Sequence, residues 1–145
     1  MNFKVIFASL CALLFFLGFQ QAIAAETVSH APDDAQVYII EPADGATVPE
    51  TFTVKFGLSG MELAPAGVDR ANTGHHHLLI DQSKLPNLNT SIPASDRVRH
   101  YGKAQTETEL TLEPGEHTLQ LVLGNYLHVP HDKPVISDPI TVTVE

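Results

Sequence analysis

A chain of 145 residues with 43% hydrophobic residues is long enough for one globular domain with its own core. Its 17 acidic residues outnumber its 8 lysines and arginines, and the formal net charge is −9. Because so acidic a chain repels phosphate groups, the charge argues against nucleic acid and anionic lipid as partners and favours cations.

The first 24 residues have the three parts of a secretory signal peptide. Lys4 gives a basic start, residues 5–19 form an apolar run, and Ala-Ile-Ala at residues 22–24 is a small-residue cleavage motif. A transmembrane anchor needs about 20 apolar residues to cross the bilayer core, and this run is shorter. We therefore predict cleavage after residue 24 or 25, a periplasmic or secreted location, and no membrane insertion of the processed chain.

The chain has one cysteine, Cys11, which lies inside the apolar run. Cleavage would remove it, so the processed chain would have no thiol for a disulfide, a nucleophile or a metal ligand. All eight histidines follow the predicted cleavage site. Imidazole is therefore expected to be the main metal-binding group of the processed protein.

Residues 25–35 are polar and aperiodic, which predicts a loose leader before a domain at residues 36–145. Within that domain, seven short runs of β-type composition are separated by turns rich in proline and glycine. No stretch of a dozen residues has helical spacing. The pattern predicts an all-β fold, an antiparallel immunoglobulin-like β-sandwich of about seven strands. The predicted strands are 37–40, 52–58, 75–81, 97–101, 106–112, 117–123 and 140–144.

The histidines are concentrated near the ends of these predicted strands. Three are consecutive at residues 75–77, where the third strand begins, and two more, His128 and His131, follow the sixth strand. In a seven-stranded sandwich, these two connections and the one after the fourth strand, which His100 would enter, come to the same end. We therefore expect these histidines to meet at one end, and His117 to lie at the opposite end.

Side chains alternate along a strand, so His75 and His77 share one face while His76 points to the other, where it is expected to pack inward. Imidazole is a common protein ligand for zinc, copper and nickel, and a His-x-His pair supplies two ligands. The predicted metal ligands are His75, His77, His128 and His131, with His100 and Met61 as additional candidates. A thioether ligand from Met61 would favour copper ion, and zinc ion is the alternative.

These patterns predict a periplasmic metal-binding protein that acts as a carrier, buffer or accessory factor. Histidines are also ordinary surface or core residues, and adjacent ones can act as a pH sensor. A second hypothesis is therefore a non-catalytic module that docks on an envelope or periplasmic protein. A third is a small metallo-hydrolase or redox enzyme, but no catalytic residue is assigned, because the chain lacks a nucleophile elbow, a phosphate loop and a His-Glu-x-x-His motif.

Five segments of the chain are typical of one known family: residues 41–48, 65–67, 73–81, 102–107 and 114–121. On these segments the chain resembles the bacterial exported family called domain of unknown function 4399, most specifically in Gly-His-His-His-Leu-Leu at residues 74–79. The resemblance implies a periplasmic or secreted bacterial domain and brings no established activity. The His-x-His strand is also similar to copper sites in exported sandwiches such as copper–zinc superoxide dismutase, but the cysteines of that enzyme are missing here, so dismutase activity does not follow.

Overall fold

The computed structural model describes residues 28–145, and the predicted signal peptide lies outside this range. Over residues 28–145 the fold is all-β, without a helix; accordingly, no helix in this range is long and apolar enough to cross a membrane. The strands are β1 (Gln36–Glu41), β2 (Ala46–Val48), β3 (Thr51–Ser59), β4 (Glu62–Leu63), β5 (Thr73–Ile80), β6 (Val98–His100), β7 (Glu107–Thr111), β8 (Gly115–Gly124) and β9 (Ile140–Val144). All seven predicted strands are confirmed, and β2 and β4 are short additions.

The strands form two sheets. One has the order β1-β3-β7, and the other has the order β2-β9-β8-β5-β4, with β6 also paired to β5. The principal pairs are antiparallel, whereas β2 with β9 and β4 with β5 are parallel. Counting the seven predicted strands in order, the first, second and fifth face the third, sixth and seventh, as in an immunoglobulin-like sandwich. The predicted fold class is therefore confirmed.

The hydrophobic core lies between the two sheets because apolar residues occupy alternate positions of the long strands. Val54 and Phe56 of β3 are 0% and 3% exposed, and they pack in one cluster with Leu119, Leu121 and Leu123 of β8, which are 0% exposed. Burial of one such side chain stabilises the fold by about 1.5–3 kcal/mol. This core determines which faces of β5 and β8 point inward. The residues that alternate with the core positions must therefore point outward.

β5 is buried on both faces: all eight of its residues are buried. Its inner face belongs to the core, whereas Leu79 on its outer face packs in a second cluster with Ile92, Val98, Val122 and Ile136. Ile92 and Ile136 lie in the connections between β5 and β6 and between β8 and β9. These two connections therefore cover the outer face of β5, on which His75 and His77 also lie.

The described part of the segment before β1, expected to be loose, packs against the domain. Ala31 is 0% exposed and joins the core, and its backbone N–H donates to Oδ1 of Asp132 at 3.0 Å. The backbone N–H of Asp132 in turn donates to the carbonyl of Ser29 at 2.9 Å. A single small apolar residue has no periodicity to detect, so the sequence pattern did not predict this attachment.

Candidate metal centre

Four histidines come together on the outer side of β5. One ring nitrogen from each of His75, His77, His100 and His128 lies within 4.8 Å of the other three. Nε2 of His75 is 3.1 Å from Nδ1 of His128 and 3.2 Å from Nε2 of His100. Around a tetrahedral zinc ion with bonds of about 2.0–2.1 Å, neighbouring nitrogens are roughly 3.3–3.4 Å apart. The four histidines, called the histidine group below, could therefore hold a metal ion.

Strand geometry places three of the four rings. His75 and His77 are two residues apart in β5, so they share a face, and their ring centroids are 4.9 Å apart. β6 pairs antiparallel with β5 so that His100 lies directly opposite His77. Directly opposed residues in an antiparallel pair have neighbouring side chains, and these two ring centroids are 5.2 Å apart.

His100 therefore reaches the group by a different route from the predicted one. It was expected to enter from the connection after the fourth strand of an immunoglobulin-like sandwich, at one end of the fold. Instead, β6 joins the sheet of β5 and presents His100 as a cross-strand neighbour. Sequence spacing does not show which sheet a three-residue strand joins, so this pairing was not predicted.

A tight turn after β8 places the fourth ring. Oδ1 of Asn125 accepts the backbone N–H groups of Leu127 and Val129 at 2.9 and 3.0 Å, and the N–H of His128 donates to the Asn125 carbonyl at 2.8 Å. His128 has a φ of 65°, in the left-handed region that few residues other than glycine adopt. Such a conformation persists only where its surroundings impose it, and here Asn125 does so.

Two glycines that sequence reasoning missed leave space for the rings. A Cβ atom at Gly124 would lie 2.5 Å from Cε1 of His77, and one at Gly102 would lie 2.5 Å from Nε2 of His100. Both distances are shorter than any ordinary carbon contact, so a larger residue at either position would displace the ring. The sequence does contain an indication of this role for Gly124, because a glycine at the end of a strongly apolar strand often marks a place where another group packs closely against the backbone.

Burial leaves several ring nitrogens of the group without partners. His75 and His77 are 0% and 1% exposed, and among the described residues Nδ1 of His75 and both ring nitrogens of His77 have no hydrogen-bond partner. A buried polar atom without a partner destabilises a fold by about 1–3 kcal/mol. Nε2 of His75, not its unpartnered Nδ1, faces the other rings, so a metal ion in the group would remove this penalty for one nitrogen of His77.

The same burial favours the neutral form of three rings, those of His75, His77 and His100. Burial, reinforced by the neighbouring His100 and His128, lowers the pKa of His75 to about 3. Burial and the neighbouring His75 and His100 lower the pKa of His77 to about 3, and burial followed by the effect of His128 also lowers the pKa of His100. Metal ligands must be deprotonated, so at neutral pH these imidazoles have the protonation state that coordination requires.

The other predicted ligands lie outside the histidine group. His131 is 2% exposed, and its Nε2 donates to the carbonyl of Thr73 at 3.1 Å, where it holds the start of β5. Met61 packs against the core between the sheets. The structure therefore brings together His75, His77, His100 and His128, and it gives His131 and Met61 other contacts.

Two further histidines lie where the sequence pattern predicts. The ring of His76 points inward, with its centroid 5.1 Å from that of Phe56, and it is 1% exposed. Burial lowers its pKa to about 4. His117 lies at the opposite end of β8 from the histidine group, where Nδ1 contacts Oδ2 of Asp81 and Nε2 contacts the carbonyl of Glu113, both at 2.8 Å.

The fold and the site define a small β-sandwich with a candidate four-histidine metal centre. The chain belongs to the family described as Domain of unknown function (DUF4399), whose model matches residues 54–145. The matched range contains all four members of the histidine group. None of the curated proteins compared with the chain matches it.

Among solved structures, the chain is similar to the endo-beta-1,4-mannanase from Thermotoga petrophila. The likeness has 18% sequence identity and a TM-score of 0.44, and it covers 77% of this chain and 20% of the mannanase chain. This protein therefore spans about a fifth of the length of that enzyme. No activity follows from a likeness of this size.

Proposed function

We propose that this protein binds one divalent transition-metal ion through His75, His77, His100 and His128. The observation that carries the proposal is the convergence of four ring nitrogens, from three separate segments, within 4.8 Å of one another. Two rings come from β5, one from β6 and one from the turn after β8. Nε2 of His75 has the ring nitrogens of His128 and His100 at 3.1 and 3.2 Å, and a cation shared by these rings is the chemistry that best accounts for such an arrangement.

We propose copper as the preferred metal and zinc as the alternative. The four ligands are all imidazoles, which suit zinc, copper and nickel, and Cu(II) binds most strongly in the general order of divalent first-row metals. Met61 packs into the core, so a thioether ligand no longer supports this choice. The preference for copper rests on the affinity order, and it applies to the divalent ion.

The proposed role is that of a carrier, buffer or accessory factor in the periplasm. The signal-peptide pattern of residues 1–24 supports the location. Four protein ligands would leave no open position on a four-coordinate ion, as in sites that hold a metal rather than use it in catalysis. Free metal in that compartment would meet an acidic chain, whose 17 acidic residues outnumber its lysines and arginines and attract cations.

Metal titration tests this function. The purified chain is stripped with a chelator and titrated with Cu(II), and separately with Zn(II), against a competitor of known affinity. We expect retention of about one ion per chain, as a single four-ligand site requires, and loss of that ion in the double variant His75→Ala, His77→Ala. His76→Leu is the matched control, because this residue lies between the two ligands but points away from them. Failure of the wild-type chain to hold an ion, or unchanged binding by the double variant, would contradict the proposal.

A further inference from the structure

We propose that His100 is the exchange ligand of this site, the one whose place an external nitrogen ligand takes when the metal ion is loaded or removed. This inference rests on the proposed function, since it concerns the order in which the same four ligands release the ion. The external ligand is an uncharged imidazole, either free or on the side chain of a second metal-binding protein.

The four rings are buried to different extents, and this difference determines the side from which an external ligand can approach the ion. His75 and His77 are 0% and 1% exposed, His128 is half-buried, and His100 is exposed. An incoming ligand must reach the ion from solvent, so it approaches on the side of His100. The two buried rings have almost no surface in contact with solvent, so an external ligand cannot reach the ion past them.

The backbone around His100 is fixed, so its release needs only rotation of the side chain. The N–H of Tyr101 donates to the carbonyl of His76 at 3.0 Å, and the N–H of Ile80 donates to the carbonyl of Arg97 at 2.8 Å. These bonds hold both ends of β6 to β5. His77 differs, because it lies in a strand with neighbours on both sides, and its ring contacts Gly124 of β8. Movement of His77 would disturb two strands.

The wall beside the His100 ring is made of small residues. Gly102 borders the ring, and the site of its missing Cβ lies 3.1 Å from Cβ of Ala66. The N–H of Ala66 donates to the carbonyl of Gly102 at 2.9 Å, which holds this wall in place. A methyl group at Gly102 would therefore overlap the His100 ring and force it to move.

The exchange step is a ligand substitution without electron transfer. The lone pair of the external imidazole forms a bond to the ion, and the bond from Nε2 of His100 to the ion breaks. His100 leaves as a neutral imidazole, and the charge of the complex is unchanged. Reversal of the same step returns His100 to the ion after the external ligand departs.

A pair of cavity variants tests this order. His100→Gly and His77→Gly are each loaded with Cu(II), and coordination is followed by electron paramagnetic resonance and visible absorption while free imidazole is added. For His100→Gly, we expect retained copper, transfer to a competing chelator roughly tenfold faster than in the wild-type chain, and return of the four-nitrogen spectrum with imidazole. For His77→Gly, we expect no restoration by imidazole, because β8 closes that position.

A second variant, Gly102→Ala, tests the role of His100 without removal of a ligand. Gly102→Ala retains His100 but displaces its ring, so we expect the same faster transfer of copper and the same response to imidazole. The inference is overturned if imidazole fails to restore the spectrum of His100→Gly, or if it restores His77→Gly equally. A wild-type chain that binds no copper would refute the proposed function itself, whereas a chain that binds copper but shows no special behaviour at His100 would refute only this inference.

Discussion

His77 of β5 lies directly opposite His100 of β6, and their ring centroids are 5.2 Å apart. This pair joins a ring buried in the middle of the sheet to a ring at the exposed edge. A metal ion bound by both would tie a three-residue strand to the strand beside it. Metal binding and local stability of the fold are therefore expected to be coupled.

Metal binding should raise the thermal stability of the wild-type chain. A ligand that binds only the folded state stabilises it by about 2.7 kcal/mol at a free concentration of 100 times its Kd. We expect a higher Tm with Cu(II), reversed by chelator, and no such increase in His77→Ala. Differential scanning calorimetry with and without metal measures this, and an equal increase in both chains would show that the ion binds elsewhere.

Gly124→Ala should impair the site without removing a ligand. Its Cβ would overlap the His77 ring, and overpacking of this kind destabilises proteins by about 1–3 kcal/mol. We expect loss of metal affinity together with a lower free energy of unfolding.

Gly67→Ala is the control for that change. It also adds one methyl group, but nothing lies within 4 Å of the added carbon, and the φ of 82° confines its effect to backbone strain of about 1–2 kcal/mol. Metal affinity should be unchanged. If the two variants bind metal equally well, space at Gly124 is not what positions His77.

His76→Leu should stabilise the metal-free protein, and more so in acid. Both ring nitrogens of His76 are buried without a partner, so an apolar side chain of similar size should stabilise the fold by about 1 kcal/mol or more at neutral pH. The pKa of His76 falls from 6.5 unfolded to about 4 folded because of burial. The unfolded chain therefore takes up a proton below about pH 6.5 that the folded chain refuses, and stability falls as pH falls.

Denaturant unfolding between pH 7.5 and pH 5, with chelator present, checks this. The wild-type chain should lose stability steeply, because burial lowers the pKa values of His75 and His77 as well as that of His76, and all three therefore destabilise the folded chain as pH falls. His76→Leu should show a shallower loss, by about 1.4 kcal/mol per pH unit for the one proton removed. An identical slope in the two chains would mean that His76 is hydrated or charged in the folded state.

His117 should give the opposite pH dependence. Nδ1 and Nε2 both face oxygen acceptors, on Asp81 and Glu113, so both nitrogens must carry a proton to donate. The hydrogen bond to Asp81 raises the pKa of His117, and this outweighs the lowering by partial burial. The contribution of His117 to the free energy of unfolding is therefore complete below about pH 6.5, and it is lost as pH rises through the raised pKa of the folded state.

The pH at which Asp81 becomes protonated sets the lower pH limit of the stabilisation by His117. Burial raises its pKa, but the hydrogen bonds from His117 and from the N–H of Thr118 prevail, and the net pKa is lowered. His117→Gln can still donate to Asp81 but does not titrate. We expect its stability, measured by denaturant unfolding from pH 6 to pH 9, to decrease less than that of the wild-type chain. A parallel decrease would show that His117 is neutral throughout.

The sequence predicts those parts of the site that depend on strand alternation and not those that depend on packing. A period of two is enough to place His75 and His77 on one face and His76 on the other. His100 depends on which sheet β6 joins, which is decided by long-range pairing. The choice between His128 and His131 depends on the turn made by Asn125, which turns His128 toward the group while His131 bonds to Thr73.

The attachment of the segment before β1 has a consequence for how the protein should be prepared. Nδ2 of Asn125 donates to Oγ of Ser29 at 3.1 Å, so the residue that shapes the His128 turn is itself held by the N-terminal segment. A fusion partner or affinity tag joined close to Ser29 would strain this contact, and a polyhistidine tag would also bring competing imidazoles beside the metal ligands. An extension after Glu145 without histidines avoids both problems.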